Sequence, residues 1–157
     1  MIVIGSDHGG LELKEVIKAA LISRGIDVSD CGTSNSESVD YPDFAEKVAG
    51  AVSRSEADPC SETDQGILIC GTGIGMSIVA NKFPGVRAAL VTDEFMAQMA
   101  KEHNNANVLV LGGRVLAVEM AVKMVNTWLD ATYEGGRHQR RLDKISQLEE
   151  AVRVSEL

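Results

Sequence analysis

Basic residues, prolines and cysteines are all scarce in this 157-residue chain. There are 15 Lys and Arg against 23 Asp and Glu, a net charge of −8 and a pI near 4.8. An acidic balance of that size leaves no extended cationic face for nucleic acid or anionic lipid. Only 3 prolines, with a mean hydropathy of +0.01, exclude a proline-rich disordered or fibrous chain. Cys31, Cys60 and Cys70 are odd in number and follow no C-x-x-C or Cys/His spacing. Neither a disulfide framework nor a zinc site is expected, and a reducing cytoplasm fits best. The opening residues Met1-Ile2-Val3-Ile4-Gly5 carry no basic n-region, and the longest charge-free stretch, 65–81, is broken by four glycines. We therefore expect no signal peptide and no membrane span.

What is present is a composition suited to one packed core: 45% hydrophobic and 24% charged residues, in a chain of ordinary single-domain length. One domain over residues 1–157 is the expectation. The apolar run 2–4 closes at Gly5, and Leu11, Leu13, Val16, Ile17, Ala20 and Leu21 then recur at helical spacing until Arg24-Gly25. The same alternation predicts strand 26–31 with helix 44–52, strand 66–70 with helix 74–81, strand 86–91 with helix 94–102, and strand 108–111 with helix 116–131. A last helix is expected from about residue 139. Strands that are continuously apolar are buried on both faces, as in a parallel sheet with helices on each side. The fold expected is therefore α/β, a doubly wound three-layer sandwich on a five-stranded parallel sheet, Rossmann-like, with a C-terminal helix. The acidic, proline-containing stretch 53–64 reads as an exposed loop.

In open parallel sheets ligands bind beyond the carboxyl ends of the strands, which directs attention to 6–10, 32–43, 71–75, 92–93 and 112–114. Cys70-Gly71-Thr72-Gly73-Ile74-Gly75-Met76-Ser77 falls where the third strand should end. Alternate glycines let the backbone turn its N–H groups toward one point, an anion cradle at a helix N-terminus. The spacing is neither G-x-G-x-x-G nor Walker A, which weakens a dinucleotide or ATP site. A thiol immediately ahead of such a cradle is either a base beside donors for an oxyanion or a small buried hydrophobe at a strand end. Cys31 and Cys60 have no such setting.

Asp7 and His8 follow the first strand and so share an edge with Cys70; Asp7 is alternatively a helix N-cap. His103, with Asn104 and Asn105, follows the helix begun at 92–94. There a histidine gains from the helix dipole, and Asn suits a left-handed cap. The only basic cluster is 137–144, with four Lys or Arg against Asp143. Arg137 and Arg141, four apart, share a helix face and repel unless an anion or surface acids meet them.

Taken in order, Gly-Ser-Asp-His-Gly-Gly at 5–10, Asp-Tyr-Pro-Asp at 40–43, Cys-Gly-Thr-Gly-Ile-Gly-Met-Ser at 70–77, Ala-Asn-Lys at 80–82, His-Asn at 103–104 and Tyr-Glu-Gly-Gly-Arg-His-Gln at 133–139 resemble the ribose-5-phosphate isomerase B family, across roughly 1–150. The wider family includes galactose-6-phosphate isomerase subunits. The resemblance implies a cytoplasmic enzyme of the pentose phosphate pathway that needs no cofactor and no metal, and interconverts ribose 5-phosphate and ribulose 5-phosphate through a cis-enediolate. It implies Cys70 as the base, amides of Gly71, Gly73, Ile74 and Gly75 on the oxyanion, and His103 with Thr72 opening the sugar ring. Asp7, Tyr41 and Asn104 would orient hydroxyls, and His8, Arg114, Arg137 and Arg141 would grip the phosphate. It also implies a homodimer or homotetramer with residues of both subunits in each site. Some relatives replace the cysteine and use a carboxylate from the glycine loop; here position 70 is Cys and that loop has no acid. The stretch 53–64 is longer than the family pattern. A six-carbon sugar phosphate, of galactose or allose, is the near rival as substrate. A binding module that merely holds a phosphorylated ligand is the rival of another class, and it gives Cys70 and His103 no role.

Overall fold

A computed structural model describes residues 1–58 and 65–155. Five strands, β1 (Ile2–Ser6), β2 (Val28–Asp30), β3 (Gln65–Cys70), β4 (Ala88–Leu90) and β5 (Val108–Gly112), form one sheet in the order β2-β1-β3-β5-β4. All four pairings are parallel. Six helices accompany them: α1 (Leu11–Ser23), α2 (Tyr41–Ala57), α3 (Ile74–Ala80), α4 (Glu94–Glu102), α5 (Val118–Asp130) and α6 (Arg137–Ser155). The doubly wound parallel sheet with a C-terminal helix is the architecture the apolar periodicity predicts. Among the described residues no helix is long and apolar enough to cross a membrane.

Alternation along the central strands divides the core in two. Ile2, Ile4, Ile67, Ile69, Leu109 and Leu111 face α1, α4 and α5, where Ile17, Leu21, Met124 and Trp128 are fully enclosed. Val3, Leu68, Val108 and Val110 face α2 and α3 and pack on Val48, Val52 and Met76. Truncating one of these large side chains to Ala costs on the order of 2–5 kcal/mol. The wedge of Trp128 is also anchored by its indole N–H, which donates to the Ala106 carbonyl at 3.2 Å.

Several boundaries differ from expectation. The two edge strands are short, 28–30 and 88–90 instead of 26–31 and 86–91, because only β1, β3 and β5 have a partner on both sides. Helix α2 begins at Tyr41 with Pro42 in its first turn and continues through 53–57, so the first part of the expected acidic loop is helical. No Gly, Pro or β-branched residue interrupts Ser53-Arg54-Ser55-Glu56-Ala57, and Glu56 is held by Asn107, whose amide Nδ2 donates to Oε1 at 3.0 Å. The helix stops at Asp58, which precedes a proline. The remainder of that loop, with Cys60, lies outside the described residues. Helix α6 starts at Arg137, two residues before expectation, and α5 spans Val118–Asp130.

Candidate active site

The chain order sends β1 into α1 on one face and β3 into α3 on the other, although β1 and β3 are neighbours. Their carboxyl ends therefore diverge around a crevice, the switch point where such sheets bind ligands. Ser6 pairs in register with Ile69, and the Asp7 amide donates to the Ile69 carbonyl at 3.3 Å. Asp7, Gly9 and Cys70-Gly71 thus meet at one place; a Cβ on Gly9 would come within 3.1 Å of the Gly71 nitrogen.

Cys70 is 5% exposed at the tip of β3. The backbone N–H of Gly73 donates to its Sγ at 3.2 Å, so the glycine turn does aim an amide at the thiol. That turn requires Gly73 in the left-handed region, φ 81°, and a Cβ there would lie 2.5 Å from Leu90 Cδ1. Gly75 serves another need: a Cβ would strike the Tyr41 ring at 2.6 Å, so its absence lets that ring lie against the first turn of α3. Thr72 Oγ1 accepts from the Ile74 amide at 3.3 Å, and Ile74 itself is half exposed at the rim. The Arg114 amide donates to the Gly71 carbonyl at 2.9 Å, and its guanidinium lies over Gly71, where Nη1 would be 3.4 Å from a Cβ.

Asp7 does what the capping alternative required: Oδ1 accepts from the amides of Gly9, at 2.9 Å, and Gly10, at 3.2 Å. That leaves Oδ2 for other work. His8 accepts from the Val39 amide at Nδ1, 3.2 Å, which ties the 31–40 loop and the start of α2 to the crevice. The root of that loop is pinned by Lys14, 1% exposed, whose Nζ donates to both Asp30 carboxylate oxygens at 2.9 and 2.8 Å and to the Thr33 carbonyl at 2.9 Å. Burial opposes ionisation of Asp30, but the Lys14 and Lys18 ammonium groups outweigh it and hold the carboxyl below its usual range. Nothing in the sequence pattern marked Lys14 as a core residue.

Cys70, Thr72, Asp7, His8, Tyr41, Gly71, Gly73, Ile74, Gly75 and Arg114 are therefore one cluster. His103, Asn104, Arg137 and Arg141 are not part of it. Helix α4 runs back from the carboxyl edge, and the chain re-enters the sheet through Asn107, whose carbonyl accepts from the Gly66 amide at 2.8 Å. The rise of β3 from Gly66 to Cys70, roughly 13 Å, thus separates the edge reached by His103 from the thiol. Asn105, at φ 43°, takes the left-handed cap, leaving Asn104 exposed. Asn104 lines a cleft of about 770 Å³ with Asn81, Arg87, Leu142, Ile145 and Val152, remote from Cys70.

Beside it the imidazoles of His103 and His138 stack, centroids 4.1 Å apart and 14° from parallel. Glu134 Oε2 is 3.2 Å from His138 Nε2 and 3.9 Å from His103 Nε2. Neither Glu134 nor His138 is marked by its residue pattern except through their spacing, four apart beside Gly135-Gly136. Arg137 and Arg141 are exposed on α6, and among the described residues neither has an ion pair or hydrogen bond through its side chain. The surface-acid pairing that would have explained them does not form.

A ribose/galactose isomerase family model matches residues 2–145. Ribose-5-phosphate isomerase B of Escherichia coli is 48% identical over 149 residues, 95% of this chain and 96% of that one. A Clostridium thermocellum ribose-5-phosphate isomerase B structure superposes with a TM-score of 0.90 at 52% identity, covering 96% and 98% of the two chains. The Mycoplasma genitalium enzyme, solved with bound ribulose-5-phosphate, gives a TM-score of 0.89 at 46% identity over 95% of each chain. With a family model spanning nearly the whole sequence and relatives near half identical, the chain belongs to the ribose/galactose isomerase family.

Proposed function

We propose that this chain, acting as one domain over 1–157, interconverts D-ribose 5-phosphate and D-ribulose 5-phosphate. The observation that carries the reading is the Cys70 thiol, enclosed at a strand end with the Gly73 N–H on its sulfur. An N–H aimed at sulfur stabilises negative charge there, the form a base must take. The thiolate removes the proton from C2 of the open-chain aldose, and the electrons flow to the C1 oxygen to give a cis-enediolate. Return of the proton from the thiol to C1, with the O2 proton passing to O1, completes the ketose and regenerates the thiolate. Backbone amides of Gly71 and Gly75, joined by those of Gly73 and Ile74 as they turn from the Cys70 sulfur and Thr72 Oγ1, serve the developing oxyanion.

Ring opening falls to His103 with Thr72. Asp7 Oδ2, the Tyr41 hydroxyl and Asn104 orient sugar hydroxyls, and His8, Arg114, Arg137 and Arg141 take the phosphate. Since His103, Asn104, Arg137 and Arg141 lie at the far edge of the same chain, a second copy supplies them: each site pairs the Cys70 crevice of one subunit with the partner's His103 and arginines. The active species is then a homodimer or a pair of dimers. An enclosed catalytic thiol without a disulfide partner suits a reducing compartment, the cytoplasm. Incubating the full chain with ribose 5-phosphate, without added metal, tests the reading: ketose forms if it is right, and binding without conversion would leave only a phosphate-holding module. Parallel runs with galactose 6-phosphate and allose 6-phosphate decide the sugar length, and the five-carbon substrate is expected to give the higher kcat/KM.

A further inference from the structure

The His103–His138 stack contains an unsatisfied group. His138 is 4% exposed, and its Nε2 has no hydrogen-bond partner although Glu134 Oε2 is only 3.2 Å away. A buried nitrogen 3.2 Å from a carboxylate oxygen, but off the line of a good hydrogen bond, sits where the two atoms can share a cation. A neutral imidazole nitrogen in that position offers a lone pair that can bind a cation. His103 presents a third donor atom, and the three ligand atoms lie within 4.8 Å of one another.

We propose that His103, Glu134 and His138 form a site for a divalent transition-metal ion of the zinc type, and that filling it withdraws His103 from the sugar, so that the ion inhibits. Two imidazoles and one carboxylate are a set zinc accepts with its fourth position left to water, and imidazole favours such ions over magnesium or calcium. Ligands about 2.0–2.1 Å from a tetrahedral zinc are themselves roughly 3.3 Å apart. The Glu134–His138 pair already meets that spacing; His103, 3.9 Å from the same oxygen and stacked on His138, has to tilt out of the stack so that its lone pair converges with that of His138. The turn at Gly135 and Gly136, both at left-handed φ, brings Glu134 beside His138, and the Glu134 amide donates to the Glu102 carbonyl at 3.0 Å, fixing it next to His103. The inhibitory consequence rests on the ring-opening role proposed for His103; the site itself does not.

Calorimetric titration of the metal-free full chain with Zn²⁺ tests it, alongside the isomerisation rate at each Zn²⁺ concentration. One ion per chain is expected, with Glu134→Gln and His138→Asn each weakening uptake at least about tenfold and Cys70→Ala leaving it unchanged. The rate should fall over the concentration range in which the ion binds, and the residual rate of Glu134→Gln should not respond to Zn²⁺ there. No uptake, uptake that Cys70→Ala removes, uptake that both Glu134→Gln and His138→Asn leave intact, or uptake without loss of rate overturns the proposal. A metal-free chain that binds Zn²⁺ as expected but makes no ketose overturns the isomerase reading instead and leaves the metal site standing.

Discussion

The Gly73 amide donates to the Cys70 sulfur at 3.2 Å, across a turn that only a residue free to take φ 81° can make. Strand β3 delivers the thiol, and the reversal into α3 aims that one backbone donor back at it. Cys70→Ala removes a small side chain at a strand end and should leave the fold and sugar-phosphate binding close to the parent's. Turnover should be abolished. Retention of near-parental kcat in the variant, measured by ketose formation, would remove the thiol from the mechanism.

Arg137 and Arg141 share a face of α6 and meet no acid among the described residues. If they hold the phosphate, each Arg→Ala change should lower kcat/KM by roughly one to two powers of ten, chiefly through KM, since a charge-assisted bond is worth about 1.5–3 kcal/mol. Steady-state kinetics of Arg137→Ala, Arg141→Ala and the double variant check this. A double variant with parental KM for ribose 5-phosphate would refute the assignment.

The Lys14–Asp30 pair predicts a stability effect separate from chemistry. Asp30→Ala leaves a buried ammonium with the Thr33 carbonyl and Glu15 as its remaining partners, and breaking such a pair costs about 3–5 kcal/mol. Urea unfolding should show that loss. A change under about 1 kcal/mol would mean that the pair behaves as a surface contact.

His138 predicts a pH dependence whose sign follows from its lowered pKa. The unfolded chain takes up the imidazole proton near pH 6.5, the folded one only at lower pH. Stability from this group is therefore complete above about pH 6.5 and declines as the pH falls from there to the folded value. Melting temperatures between about pH 7.5 and pH 5.5 should decline in the parent and decline less in His138→Gln. Equal slopes would assign the decline to other groups.

Much of the fold was legible because β1, β3 and β5 are uninterrupted apolar runs, and burial on both faces is what such runs require. The edge strands are shorter than their apolar runs: Ile26 and Val86 are apolar, but each strand has one neighbour, and at its start the backbone bonds pass to single contacts, Ile2 N–H to the Asp27 carbonyl and Arg87 N–H to the Asn107 side chain. Helix α2 overran its expected end because polarity alone marked 53–57 as loop, whereas helix propensity and the Asn107 contact decide it. Cys70 was legible from its place between an apolar run and alternate glycines. The distance of His103 from it was not: residue type marks both as reactive, but only the return direction of α4 puts them at opposite edges. Lys14 and the His103–His138 stack are products of tertiary packing, with no local pattern to announce them.

The claim on which the rest depends is that each site joins Cys70 of one copy to the partner's His103. Mixing inactive Cys70→Ala chains with crippled His103→Asn chains, under conditions that let subunits exchange, tests it directly. In every mixed dimer one site then carries both substitutions and the other carries neither. An equimolar mixture should recover about a quarter of parental activity. Sites built within single chains would recover nothing, and a mixture no more active than its two components would contradict the account.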